Sequence, residues 1–97
     1  MSECQNKKSS LRYITLVYED APGKSVFIAG SFNDWKPEKK MTDKNNDGVY
    51  RCQLRLVPGE YQYKFVVDGL WCLDPVNPNF VPNEMGSLNS VLCVKAK

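Results

Sequence analysis

The chain has 97 residues, 42% apolar and 25% charged, with 13 basic and 11 acidic side chains and no histidine. One small domain of this size buries roughly 60–65% of its unfolded surface, which supports a thin core and a surface groove rather than a deep enclosed pocket. The lack of histidine excludes Ser-His-Asp and Cys-His catalysis, and a net charge of +2 with no basic cluster argues against nucleic acid as a partner.

Residues 1–10 are polar and aperiodic and read as a flexible tail ahead of a module spanning 11–97. The start, Met1 to Lys8, is followed by no apolar stretch of signal-peptide length, and no run is long enough to cross a membrane, so the cytoplasm is the expected compartment. In that compartment Cys4, Cys52, Cys72 and Cys93 read as free thiols, and without a C-x-x-C pair or histidine no zinc site is expected.

From residue 12 on, short β-rich runs alternate with turn signals, the pattern of an all-β sandwich. Arg12–Tyr18 sets Ile14, Leu16 and Tyr18 against Tyr13, Thr15 and Val17. Ala21-Pro22-Gly23-Lys24 turns the chain into Ser25–Phe32, whose apolar Val26-Phe27-Ile28-Ala29 marks a central strand. Asn33 to Asp47 is a polar stretch. Gly48–Leu56 then alternates cleanly, with Tyr50, Cys52, Leu54 and Leu56 on the core side, where a thiol is a routine filler. After Val57-Pro58-Gly59-Glu60, the run Tyr61–Val67 sets Tyr61, Tyr63, Phe65 and Val67 against Gln62, Lys64 and Val66. Asp68-Gly69 predicts a two-residue type I′ hairpin into Leu70–Leu73. Asp74 to Asn79 reads as irregular because each proline removes a ladder donor. Leu88–Lys95 closes the sheet. About seven short strands are expected, with no helix and no repeat.

Catalysis lacks its usual constellations. The acidic residues fall in turns and on polar strand faces, whereas glycosidases need two opposed carboxylates, one of them with a raised pKa. The six glycines are scattered, so no phosphate loop or other cofactor motif is present and no cofactor is expected. Asp43-Lys44-Asn45-Asn46-Asp47-Gly48 matches half of a calcium-binding EF loop, but its twelfth position is Leu54, and a polar turn is the better reading.

Trp35 and Trp71 are the unusual residues. Both sit at element ends among Asn, Asp, Lys and Pro rather than inside apolar runs. A flat indole can cover the C–H face of a pyranose while neighbouring polar groups bond its hydroxyls. Two rings each removing ~100 Å² of apolar surface from water contribute ~5 kcal/mol, against ~4 kcal/mol or more lost on association. Affinity for one short chain is therefore expected between micromolar and millimolar, rising through multivalency on a polymer.

Three segments carry a resemblance: Val26 through Trp35, Gly59 through Trp71, and Asp74-Pro75. In order and spacing they resemble the glycogen-binding domain of the AMP-activated protein kinase β subunit. More broadly they resemble the family-48 carbohydrate-binding modules, the isoamylase N-terminal-like set that precedes branching and debranching catalytic domains. The likeness runs from about Ser25 to Val94 and implies an immunoglobulin-like β-sandwich with no catalysis of its own. It implies that Trp35 and Trp71 stack on sugar, that Lys64 and Asn89 bond hydroxyls, that Ser87 stands at a threonine position, and that Met85 stands where a leucine enters the curve of the bound chain. Departures are Leu70 before the second tryptophan, Cys72 after it, and Pro82-Asn83-Glu84 in the loop carrying Met85.

The expected partner is therefore an α-1,4-glucan polymer or maltooligosaccharide, with a glycogen- or starch-metabolising enzyme or kinase as a further partner, and neither nucleic acid nor membrane. The rival expectation is a sandwich that docks on such an enzyme without binding sugar. The plain alternatives for single residues are a solvated Lys64, an Asn89 bonded to its own backbone, and a Met85 tucked into the core.

Overall fold

In a computed structural model describing residues 11–95, eight strands form two antiparallel sheets. β1 (Arg12–Glu19) and β4 (Val49–Leu56) pair along their whole length, from Arg12 opposite Leu56 to Glu19 opposite Val49. The second sheet runs β3 (Lys39–Met41), β2 (Val26–Gly30), β5 (Gly59–Val67), β8 (Leu88–Val94), β7 (Phe80–Pro82). β6 (Leu70–Cys72) shares one edge of β5 with β8. The all-β sandwich expected from the alternation is what forms. The expected tail, residues 1–10, lies outside the described residues.

The period-two pattern determines the layering, because alternate side chains leave a strand on opposite faces. Val26 and Ile28 from β2, Tyr63, Phe65 and Val67 from β5, and Tyr50, Cys52 and Leu54 from β4 meet in one core with Met41. Ile14, Leu16 and Tyr18 of β1 close it from above. Tyr18 lies 5.1 Å from Phe65 between ring centroids, so β1 covers the middle of β5. A bridge between Thr42 and Arg51 joins the end of β3 to β4 and shuts that flank of the sandwich.

Two strands escape the sequence reading. β3 lies inside the polar stretch 33–47 and is three residues long, too short to show alternation. β7 contains Pro82, which is accommodated because β7 is an edge strand. One other expectation is corrected. Cys93 is disulfide-bonded, while Cys52 and Cys72 are free; the spacing of the cysteines along the chain carries no sign of this. Cys4 is outside the described residues. Asp74 is the turn residue expected, its Oδ1 accepting the Val76 amide at 3.1 Å, and it is also buried. The Tyr63 hydroxyl donates to its carboxylate at 2.5 Å and accepts from Asn77 Nδ2 at 3.1 Å, and the Asp74 amide donates to Ser90 Oγ at 3.1 Å. This polar knot fastens the irregular segment after β6 to β5 and β8.

The Asp43–Gly48 segment is a turn. Asp43 accepts the amides of Asp47 (3.0 Å) and Gly48 (2.7 Å), and Asp47 accepts that of Val49 (3.1 Å). Gly48 is required there: its φ is +84°, and a Cβ would stand 2.0 Å from the Asp20 carbonyl oxygen.

Two phenols ionise late. Desolvation, aided by the hydrogen bond to Asp20, pushes Tyr18 up to about 12. Desolvation and the bond to Asp74 push Tyr63 higher still. Each gives stability that is intact below the unfolded-state value of ~10 and is lost as pH rises through the folded value. The melting temperature, followed by far-UV circular dichroism, is therefore expected to hold from pH 7 to 9 and to fall steeply above pH 10. Tyr63→Phe should cost about 1–3 kcal/mol at neutral pH by leaving Oδ2 of the buried Asp74 carboxylate without its hydroxyl donor.

Candidate functional site

The outer face of the larger sheet carries an open groove of about 1010 Å³. On β5 it displays Gln62 and Lys64, the residues that alternate with the core residues Tyr63 and Phe65. Trp71 stands opposite Val66 on the same face. The Asp68-Gly69 turn that delivers it has φ of 50° and 85°, as a type I′ hairpin requires. That turn is moored to the start of β2: the Ser25 amide donates to Asp68 Oδ1 at 2.9 Å, and the Asp68 amide donates to the Ser25 carbonyl at 2.7 Å.

Trp35 comes from the loop after β2. Asp34 and Trp35 both have φ of 59°, a left-handed conformation that is rare for a bulky residue and costs about 1–3 kcal/mol at each position. The loop holds it with a tight set of bonds. The Gly30 carbonyl accepts the amides of Asn33 (3.0 Å) and Trp35 (2.9 Å), and the Gly30 amide donates to Asn33 Oδ1 (3.0 Å). Gly30 allows this because a Cβ would lie 2.5 Å from the Gln62 carbonyl oxygen on the neighbouring strand. Strain of this kind, held by surrounding structure beside a groove, points to a side chain whose position matters.

The third wall is the loop between β7 and β8. Asn83 organises it: its Oδ1 accepts the amides of Met85 (2.9 Å) and Ser87 (3.0 Å), and its Nδ2 donates to Asn89 Oδ1 (3.0 Å). Asn89 Nδ2 in turn donates to Gln62 Oε1 at 2.9 Å, and Lys64 Nζ donates to Ser87 Oγ at 2.6 Å. Met85 is 90% exposed at the loop tip, so it is not a core residue. Trp71 is 47% exposed.

All six residues singled out from the sequence (Trp35, Lys64, Trp71, Met85, Ser87 and Asn89) line this one groove, together with Gln62, Pro82, Asn83 and Glu84. Lys64 is bonded rather than simply solvated, and Asn89 bonds side chains rather than its own backbone. Gln62 was legible as the neighbour of Lys64 on the polar face of β5. Asn83 gave only the weak signal of an Asn before a glycine turn. Leu70 and Cys72 alternate with Trp71 and project to the opposite face, so these departures from the family pattern do not line the groove. Among the described residues no group of three or more His, Cys, Asp or Glu is placed to hold a metal ion.

A shallow groove flanked by tryptophans and lined by amide, hydroxyl and ammonium groups can cover flat apolar faces of a ligand and bond its hydroxyls. The family described as the glycogen recognition site of AMP-activated protein kinase matches residues 13–97, and the chain belongs to it. Similar relatives include rice Protein FLOURY ENDOSPERM 6, chloroplastic, 36% identical over 97% of this chain and 17% of its own length. The mouse 5'-AMP-activated protein kinase subunit beta-2 is 42% identical over 84% of this chain and 29% of its own. Arabidopsis Protein PTST homolog 2, chloroplastic, is 40% identical over 70% of this chain and 12% of its own. The chain thus spans less than a third of the length of each of these three.

Two variants probe the groove's construction. Gly30→Ala should lower stability by about 1–3 kcal/mol in thermal unfolding, since the atom its methyl meets is backbone and cannot swing aside. Asn83→Ala should leave the melting temperature within a few degrees but accelerate amide exchange at Met85 and Ser87 at least tenfold by NMR.

Proposed function

We propose that residues 11–97 act as a non-catalytic module that holds α-1,4-linked glucan, as glycogen, starch or a maltooligosaccharide, in this groove. The observation that carries the reading is convergence: an aromatic from the β2 loop, a lysine from β5, an aromatic from β6 and a polar loop before β8 come together on one surface. Trp35 and Trp71 supply flat apolar faces for pyranose rings. Lys64, Ser87 and Asn89, with Gln62, supply donors and acceptors already oriented by one another, so little ordering is lost when hydroxyls bind. Met85 offers a flexible thioether that fits a curved chain.

Non-enzymatic action is supported by the lining, where Glu84 is the one carboxylate and glycoside hydrolysis uses two. The relatives' names bring in protein kinase subunits and chloroplastic proteins, so a kinase or a glucan-metabolising enzyme as partner belongs to the same proposal, as does work beside soluble glucan in cytoplasm or plastid. Among the described residues no helix is long and apolar enough to cross a membrane.

Titration calorimetry with maltoheptaose tests the reading. Binding in the micromolar to millimolar range is expected, unchanged by EDTA and absent with cellulose oligomers. Trp71→Ala should cost about 2.5 kcal/mol, roughly 70-fold, if its ring covers ~100 Å² of sugar. Folded protein that gives no response to any α-glucan would overturn the proposal.

A further inference from the structure

The side-chain amides of Asn83, Asn89 and Gln62 form one directed chain along the groove, and its direction is set at the Asn83 end. A backbone N–H only donates, so the group it meets must accept. The amides of Met85 and Ser87 both meet Asn83 Oδ1, at 2.9 and 3.0 Å. Turned the other way, Asn83 would set its own NH2 against two donors. Its backbone is held as well: the Asn83 amide donates to the Ser87 carbonyl at 2.9 Å, and its carbonyl accepts the Gly86 amide at 3.3 Å. The oxygen of Asn83 is therefore fixed on the loop and its Nδ2 on Asn89 Oδ1, at 3.0 Å.

Asn89 is 93% buried and passes the direction on. Its oxygen is held by Asn83, so its Nδ2 donates to Gln62 Oε1 at 2.9 Å. With Oε1 engaged, Gln62 is left with Nε2, a group that only donates, for the groove it lines. The neighbouring pair has the same sense. An ammonium only donates, so Ser87 Oγ accepts from Lys64 at 2.6 Å and its own hydrogen points away from the lysine. The middle of the groove thus offers hydrogens, from Gln62 Nε2, from the other N–H groups of Lys64 and from Ser87 Oγ.

We infer that Gln62 is a further ligand-binding residue, an obligate donor to an oxygen of the bound glucan, and that Asn83 is the positioning residue that makes it one. The inference rests on the glucan reading above. Ring and glycosidic oxygens carry no hydrogen and only accept, and hydroxyl oxygens accept as well, so a donor at this place suits them all. A carbonyl there would engage hydroxyls alone. Asn83 acts through Asn89, and its own polarity decides the outcome. In Asn83→Asp the carboxylate still accepts from Met85 and Ser87 but has no hydrogen for Asn89. Asn89 then turns its Nδ2 to the carboxylate and its oxygen to Gln62. Gln62 answers by turning Nε2 inward and showing Oε1 to the groove.

Side-chain amide exchange by NMR and titration calorimetry with maltoheptaose, both on the whole chain, test this together. In wild type without sugar, one N–H of Asn83 and one of Asn89 are expected to exchange roughly tenfold more slowly than either N–H of Gln62. In Asn83→Asp one Gln62 N–H joins the slow set while the Met85 and Ser87 amides keep their wild-type protection, a signature that a loosened loop does not give. Gln62→Glu keeps the acceptor for Asn89 and removes the donor. It should melt within a few degrees of wild type and bind maltoheptaose about tenfold more weakly at pH 7, the scale of one lost hydrogen bond. Asn83→Asp should weaken binding by at least as much. Should Asn83→Asp fail to fold, Gln62→Glu and the wild-type exchange pattern decide. Three results would overturn the inference alone: fast exchange at both asparagines in wild type, unchanged Gln62 exchange in folded Asn83→Asp, or wild-type affinity in Gln62→Glu. Wild type with the expected exchange pattern and no affinity for maltoheptaose would overturn the glucan reading, and the role of Gln62 with it.

Discussion

In an extended chain successive side chains leave on opposite faces, and in β5 that geometry serves two purposes at once. Tyr63, Phe65 and Val67 enter the core while Gln62 and Lys64 enter the groove. β5 is also the strand on which β2, β6 and β8 all pair. A shift of one residue in its register would exchange the two sets, burying an ammonium group and exposing three large apolar side chains. The core thus holds the groove in register: the energy that fixes Phe65 also fixes where Lys64 points.

The rest of the groove is anchored to this strand by hydrogen bonds rather than by packing. Gln62, Asn89, Asn83 and the loop to Ser87 form a continuous chain that returns to β5 through Lys64. Neutral amides linked this way are pre-oriented without a net charge to desolvate, which suits a ligand made of hydroxyls. Lys64 is the one cation and Glu84 the one anion in the lining, so recognition relies on shape and hydrogen-bond direction more than on long-range attraction.

Much of this was legible in the sequence where runs were long enough to show their period. Arg12–Tyr18, Gly48–Leu56 and Tyr61–Val67 give away both strand and face. The Asp68-Gly69 pair gives away its turn, and the two tryptophans stand out by sitting among polar neighbours. What stayed hidden had no local signal. β3 spans three residues and β7 ends in a proline, so neither shows alternation. Asp74 reads as a turn residue and is one, but its burial has no local sign because the group that bonds it, Tyr63, lies eleven positions away. The disulfide at Cys93 and the reach of Asn83 to Asn89 likewise depend on three-dimensional neighbours. Leu70 and Cys72, conspicuous beside Trp71 in the sequence, prove to face away from it because the strand alternates there too.

The chain contains two tryptophans, and both line the groove; its core aromatics are tyrosine and phenylalanine. Indole emission therefore reports the groove alone, and the sandwich interior is silent at those wavelengths. An unfolding curve recorded by tryptophan fluorescence follows the loosening of the loop after β2 and of the short β5–β6 hairpin, whereas a backbone signal follows the sheets. Where the two curves separate, their difference measures how far the groove melts before the scaffold beneath it.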